Sequence, residues 1–285
     1  MTTMVDGYVP VIDLSSGTRE ELASAIGGAC ATSGFYVIVG HGIPRELVAR
    51  MYAVTTEFFT LPVEEKDRAG GFRRSGGTTA QSLDQQSPPD LCESFGAHVT
   101  ALADGWPDAP AAFRETWLEY LTAVESLAHD LLRLSARALG SAEDFYDDKF
   151  DRHTSSLVAN FYYPQHGAPL PGQLRRGAHT DFGGLTVLYQ EDDLSGLQVR
   201  HGENEWRDVR AIPGSFVVNI GDLLARWTGG RWVSTLHRVV NPAPGDTSSR
   251  LSVPFFYQPN HDAVVDSVVA GEWIATKMRK LFAPR

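Results

Sequence analysis

Gly177-Ala-His179-Thr-Asp181-Phe-Gly-Gly184-Leu185-Thr-Val-Leu188 is the stretch on which the reading of the fold turns. An imidazole and a carboxylate stand two residues apart in it, directly before a strand-like run, Gly184–Tyr189. In a β-strand, side chains i and i+2 leave the same face, so His179 and Asp181 are aimed at one point; a helix would send them to different sides. His237 follows fifty-six positions after Asp181, in another strand-like run, Trp232–Val239. Thirteen residues further on, Arg250-Leu-Ser252 repeats the i, i+2 spacing with a guanidinium and a hydroxyl, groups suited to gripping a carboxylate. The chain thus offers candidate metal ligands and then an anion anchor, all on predicted strands.

Outward from this stretch the hydrophobic period separates two regimes. From about Ser155, short β-like runs alternate with Gly, Pro, Asp and Asn: Leu157–Tyr163, Gly184–Tyr189, Leu197–Arg200, Ser215–Ile220, Trp232–Val239 and Arg250–Gln258. Many short strands with turn signals point to a jelly roll or barrel. Before them, Val9–Leu14 reads as a short strand, and Thr18-x-x-Glu21 is a capping box opening a helix with Leu22, Ala25, Ile26 and Ala29 on its apolar face. Gly34 is placed to stop that helix ahead of a buried strand, Phe35–Val39, and Pro44 opens a second helix carrying Leu47, Val48, Met51 and Val54. Phe113, Trp117, Leu121, Val124, Ala128, Leu131 and Leu132 mark a long amphipathic helix ending near Gly140. Trp273, Ile274, Met278, Leu281 and Phe282, opposed by Lys277, Arg279 and Lys280, predict a closing helix. Residues 68–90 lose all periodicity, and Gly70–Ser82 reads as an entrance loop; it lacks the Lys-Ser/Thr of a phosphate-binding loop. The expected fold is mainly β with flanking helices: a jelly-roll or barrel core at 151–260, an α-rich N-terminal region at 1–110, a supporting helix at 111–150 and a C-terminal helix at 261–285.

Composition removes several function classes. A net charge of -10 argues against a nucleic-acid partner, which needs clustered Lys and Arg, and against anionic membranes. The 42% hydrophobic and 21% charged fractions are those of an ordinary globular domain. No apolar stretch approaches the length that spans a bilayer. Two cysteines, Cys30 and Cys92, make neither a disulfide framework nor a metal-type pair, so reduced thiols in a cytoplasmic protein are expected. Nothing in the sequence fixes an oligomeric state. Of nine histidines, His41, His98, His129, His153, His166, His201 and His261 have no partner at ligand spacing.

Two histidines and one carboxylate occupy one face of an octahedral metal and leave the other open, the donor set of non-haem Fe(II). Pro10-Val-Ile-Asp13, Gly34-Phe-Tyr36, Gly40-His-Gly-Ile-Pro44, Asp90-Leu-Cys-Glu93-Ser-Phe95, Gly177-Ala-His179-Thr-Asp181, Val218-Asn-Ile-Gly221-Asp222, Leu236-His237-Arg238-Val239 and Arg250-Leu-Ser252-Val-Pro254 occur in the order found in one family. Nearly end to end, the chain resembles the isopenicillin N synthase-like family of Fe(II)- and 2-oxoglutarate-dependent dioxygenases. The resemblance implies a double-stranded β-helix (jelly-roll) core and Fe(II) held by His179, Asp181 and His237, with 2-oxoglutarate and O2 as cosubstrates. It implies that Arg250 and Ser252 hold the far carboxylate of 2-oxoglutarate, that the hydroxyl of Tyr163, just before Pro164, supports the same anion, and that Asn219 touches the iron-bound end. For Tyr163 a packing role, and for Asn219 a turn role, are the alternatives. Substrate contacts map to Arg73, Arg74, Phe161, Phe182 and Phe256, with core packing as the alternative for the phenylalanines. Halogenating relatives lack the carboxylate; with Asp181 present, hydroxylation, desaturation or oxidative ring closure of a small organic molecule in specialised metabolism is expected, with release of succinate and CO2. Two rivals stay open: an oxidase that takes all its electrons from the substrate and uses Arg250-x-Ser252 to hold the substrate's own carboxylate, and a non-catalytic metal- or oxoacid-binding sensor.

Overall fold

The computed structural model describes residues 8–74, 83, 87–192 and 196–281. Fourteen strands alternate with seven α-helices among them. The helical first part holds β1 (Val11–Asp13), α1 (Arg19–Thr32), β2 (Phe35–Val39), α2 (Arg45–Thr60), α3 (Val63–Lys66), β3 (Phe72–Arg73), β4 (Glu93–His98), α4 (Phe113–Ala138) and α5 (Asp147–Phe150). The strand-rich part holds β5 (Ser156–Tyr162), β6 (Arg176–His179), β7 (Leu185–Gln190), β8 (Leu197–His201), β9 (Glu205–Asp208), β10 (Phe216–Ile220), α6 (Asp222–Trp227), β11 (His237–Val239) and β12 (Arg250–Tyr257). A hairpin, β13 (Val264–Val265) and β14 (Val268–Val269), leads into α7 (Ala270–Leu281).

The strands form two facing sheets of a jelly roll. The larger has the order β1-β2-β10-β7-β12-β5-β4-β3, the smaller β6-β11-β8-β9. Side chains of the larger sheet divide by parity. Leu157, Ala159, Phe161, Leu185, Val187, Tyr189, Phe216, Val218, Leu251, Val253 and Phe255 join the helices in the main core. The opposite parity, Phe35, Val37, Tyr162 and Val217, meets Leu197, Val199 and Val239 of the smaller sheet in a second core between the sheets. With both faces covered, β12 is buried along nearly its whole length, which explains its unbroken apolar run. Pro254, which has no N–H, coincides with a gap in the ladder to β5 between Ser252–Asn160 and Phe255–Leu157.

Local signals act as the sequence suggests. The Thr18 hydroxyl accepts from the Glu21 N–H while the Glu21 carboxylate accepts from the Thr18 N–H, closing the capping box. Gly34 has φ +69°, and a Cβ there would overlap the Val233 carbonyl, so only glycine makes this turn into β2. Helix α4 buries Phe113, Trp117, Tyr120, Val124, Ala128 and Leu131, packs against α1 and α2, and backs the larger sheet at β7 and β12.

Two expectations need correction, and one strand was not anticipated. The run Trp232–Val239 is strand only from His237, because its first part bonds to helix ends instead: Trp232 N–H donates to Thr228 Oγ1 and Val233 N–H to the Cys30 carbonyl. The segment 68–90, read as loop, contains β3, which pairs with β4; neither carries an alternating apolar pattern, since only Phe72 and Phe95 are buried in them. Strand β9, mostly exposed, left no sequence signal. The entrance loop predicted at Gly70–Ser82 lies outside the described residues from 75 onward.

Candidate metal and oxoacid site

His179 closes β6, His237 opens β11, and the two are direct cross-strand partners. Their rings stand 4.2 Å apart between centroids. His179 Nδ1 bonds the Gly177 carbonyl at 2.8 Å and His237 Nδ1 the Thr235 carbonyl at 3.1 Å. Each bond requires the proton on Nδ1, which turns the Nε2 lone pair toward the space between the sheets. Phe35 packs edge-on against the His237 ring and fixes its plane.

Asp181 is placed by different means. The strand ends at His179, so the carboxylate is set by the turn that follows rather than by strand alternation. The Asp181 carbonyl accepts the Asp222 N–H at 2.7 Å, and the Gly183 carbonyl accepts the Leu223 N–H at 3.0 Å, tying the turn to the start of α6. A Cβ on Gly221 would overlap the Gly183 carbonyl, so the approach depends on glycine. Asp181 Oδ2 accepts from Thr186 Oγ1 at 2.6 Å and Asn219 Nδ2 at 2.7 Å. That leaves Oδ1 facing the imidazoles, 3.8 Å from His179 Nε2 and 3.7 Å from His237 Nε2. These distances are too long for hydrogen bonds. The three groups offer ligand atoms all within 4.8 Å of one another.

Their protonation suits a metal. Burial, and then the neighbouring His237, push the His179 imidazole down to about 3, so it is neutral. Burial alone would raise the Asp181 carboxyl, but His237, His179, Asn219 and Thr186 outweigh it and hold it below the usual carboxylate range. A neutral imidazole and an ionised carboxylate are the forms that bind metal. With one donor face filled and the opposite side open, the set fits Fe(II).

Next to it, Arg250 is 1% exposed. Its Nη2 reaches Gln190 Oε1 at 3.4 Å, while Nε and Nη1 have no protein partner. Gln190 Nε2 and Asn160 Oδ1 are unpartnered as well. Ser252 lies between them, registered with Asn160 on β5 and Gln190 on β7. Burial pushes the Arg250 guanidinium down from its ordinary range, the sign of a charge held without an adequate counter-charge. A buried cation with free donors is costly unless an anion meets it. The dicarboxylate 2-oxoglutarate fits this pocket by charge and by donor count.

The remaining predicted residues distribute unevenly. Tyr163 does not join Arg250: its hydroxyl donates to Glu93 at 2.6 Å and receives from Lys66 Nζ at 2.7 Å, behind the larger sheet. The register pairs Arg250 with Tyr162, whose ring centroid is 5.3 Å from the guanidinium carbon. A one-residue step reverses the face, so the adjacent tyrosine is the one in the pocket. Asn219 is spent on Asp181 and positions that carboxylate. Phe161 stacks on Phe59 at 5.1 Å in the main core, away from the inner face. Phe256 is half-buried on the inner face, registered with Thr186 and Ser156. Phe182 is half-buried beneath α7, its carbonyl accepting from Trp273 Nε1. Arg73 turns back on the Gly70 and Phe72 carbonyls, and Arg74 is paired with Asp67 at the surface. Sequence reasoning missed Thr186, Tyr162, Asn160 and Gln190. The signal was there for two of them: Asn160-x-Tyr162 has the same parity as Arg250-x-Ser252 on the neighbouring strand.

Residues 154–259, which include His179, Asp181, His237, Arg250 and Ser252, match the 2OG-Fe(II) oxygenase superfamily. The chain belongs to that superfamily. In this oxygenase, residues 9–119 also match the N-terminal region described for the non-haem dioxygenase in morphine synthesis. It is 34% identical to homoarginine-6-hydroxylase of Arabidopsis thaliana over 86% of its own length and 79% of the relative's. It is 32% identical to validamycin A dioxygenase of Streptomyces hygroscopicus subsp. limoneus, covering 90% and 78%. Among solved structures, a full-length Neurospora crassa protein in complex with alpha-KG (2-oxoglutarate) superposes with a TM-score of 0.85 at 26% identity, covering 96% of this chain and 97% of that one. The protein is accordingly a 2-oxoglutarate-dependent Fe(II) dioxygenase that uses O2 and acts on a small molecule. The oxidase and sensor rivals have no counterpart in these named relatives. Among the described residues, no helix is long and apolar enough to cross a membrane.

Proposed function

We propose that His179, Asp181 and His237 hold the Fe(II) of this dioxygenase, and that Arg250 and Ser252, assisted by Tyr162, hold the far carboxylate of 2-oxoglutarate. Bound iron supplies the activation of O2, coupling conversion of 2-oxoglutarate to succinate and CO2 with insertion of one oxygen, or removal of two hydrogens, at a C–H bond of the substrate. The chain's own residues bind and orient. Thr186 and Asn219 hold Asp181 Oδ2 so that Oδ1 faces the metal position. The Gly177 and Thr235 carbonyls set the imidazole tautomers. Phe35, Val37, Val217, Leu197, Val199 and Val239 line the space between the sheets and keep water from it.

The observation that carries the assignment is Arg250, almost fully buried with two unpartnered nitrogens beside Ser252 and Tyr162. The primary substrate is a small organic molecule of the kind used by the hydroxylases and metabolic dioxygenases among the relatives. The test is succinate formation from 2-oxoglutarate across a panel of amino-acid derivatives, nucleobases and carboxylic acids, compared with Asp181→Ala. Substrate-stimulated succinate in the wild type, absent in the variant, is expected. An Asp181→Ala protein with wild-type coupling and iron content would overturn the ligand assignment.

A further inference from the structure

Strand β6 contains an irregularity that the metal ligands do not need. His237 of β11 is registered with His179, but Val239, only two residues on, is registered with Arg176, three residues back. One extra residue on β6 makes a β-bulge, a device that re-aims side chains beside functional sites. Without it, Arg176 and His179, three apart, would face opposite ways. With it, Arg176 shares the face of its cross-strand partner Val239, which belongs to the core between the sheets. The guanidinium therefore enters the same interior as His179.

Burial lowers the Arg176 guanidinium, but Cys92, Tyr162 and Asp90 outweigh it and hold the group charged, while contacting only part of the fork. Arg176 Nη1 is 3.0 Å from Cys92 Sγ and 3.9 Å from Asp90 Oδ2. A thiol is a weak acceptor, and burial pushes the Cys92 thiol up, so it is neutral. Asp90 is ion-paired with Arg176 without a direct hydrogen bond, and its oxygens also accept from the backbone: Oδ1 the Gly177 N–H at 2.8 Å and Oδ2 the Leu83 N–H at 3.3 Å. Those bonds fix the bulge from behind. The Arg176 side chain keeps 24% of its surface accessible. Its other donors make no hydrogen bond to a described residue.

Resting on the dioxygenase reading above, we propose that Arg176 is a specificity-determining residue that receives a carboxylate of the primary substrate on the inner wall beside His179. The guanidinium fork matches a carboxylate with two parallel hydrogen bonds, and the bulge, Asp90 and Cys92 hold it in place before substrate arrives. Arg250 serves the cosubstrate and Arg176 the substrate, so the two arginines are separable by experiment.

The experiment uses the full chain loaded with Zn(II), which prevents turnover, and saturated with 2-oxoglutarate. Calorimetry measures the binding of matched probes: 3-phenylpropionate, 3-phenylpropionamide and 3-phenylpropylamine, and hexanoate with its amide and amine. The wild type binds the carboxylates about ten- to a hundred-fold more tightly than their amides, the value of one charge-assisted hydrogen-bonded anchor. Arg176→Gln abolishes that preference and leaves 2-oxoglutarate affinity unchanged. Should Arg176→Gln not fold, Arg176→Lys carries the test, because losing the planar fork lowers the preference several-fold while the charge remains. The inference is overturned by carboxylates that bind no better than amides, by a preference that survives the substitutions, or by loss of 2-oxoglutarate binding instead. Failure of the wild type to bind 2-oxoglutarate at all would defeat the dioxygenase assignment separately.

Discussion

Replacing Arg250 by methionine is expected to stabilise the protein while abolishing cosubstrate binding, an unusual pairing of signs. The guanidinium is 1% exposed, with one long bond to Gln190 and two nitrogens unpartnered. Exchanging buried ionic groups for apolar residues of similar volume is neutral or stabilising by about 1–4 kcal/mol. In a chain of this length 1 kcal/mol is worth about 2 °C in Tm, so Arg250→Met should raise the Tm of the cosubstrate-free protein by up to about 8 °C. The wild type gains about 2.7 kcal/mol, or about 5 °C, from 2-oxoglutarate at a hundred times its Kd, and the variant gains nothing. The assay is thermal unfolding of Zn(II)-loaded protein with and without 2-oxoglutarate, with Arg250→Lys as the intermediate case. Lysine keeps the charge but loses the fork, which raises the Kd for 2-oxoglutarate by about ten- to a hundred-fold. A methionine variant that melts lower than wild type and still responds to 2-oxoglutarate would falsify the claim that this arginine is held in reserve for an anion.

Three further outcomes follow from the geometry. Tyr162→Phe should raise the KM for 2-oxoglutarate by about ten- to a hundred-fold, the worth of one hydrogen bond to a carboxylate; Tyr163→Phe should leave that KM alone and lower Tm, because its hydroxyl ties Glu93, Lys66 and the Phe59 carbonyl. Reversed effects in steady-state kinetics and melting curves would restore Tyr163 to the pocket. Asn219→Ala removes one of the two hydrogen bonds to Asp181 Oδ2 and should weaken Fe(II) binding by about ten- to a hundred-fold in a chelator titration, the usual cost of losing a ligand's supporting bond; unchanged affinity would mean that Thr186 alone suffices. Metal-free protein should lose stability as pH falls from 6.5 toward about 3, because His179 is held neutral when folded and takes up a proton when unfolded. His179→Leu should flatten that slope in denaturant titrations, and an equally steep slope would assign it to other groups.

The amino-acid sequence by itself determined the class of fold and pointed to the candidate donor atoms. Helix starts, the stop at Gly34 and the strands at Phe35–Val39 and Arg250–Tyr257 were readable because each depends on local chemistry: a capping box, a positive φ, or a run of buried apolar residues. His179, Asp181, His237, Arg250 and Ser252 were readable as candidates from residue type and spacing together with the family resemblance. Tertiary structure alone decided how they are held. Asp181 faces the imidazoles because a turn is bonded to α6 and because Thr186 and Asn219 occupy its other oxygen, contacts that join positions up to 41 residues apart. The choice of Tyr162 over Tyr163 rests on the registration of β5 against β12, and one residue of slip reverses every side chain on the strand. Arg176 faces inward only because a bulge in β6 shifts its pairing with β11. Spacing along one strand says which side chains share a face; which face is the interior is set by partners that the chain meets only when the two sheets close.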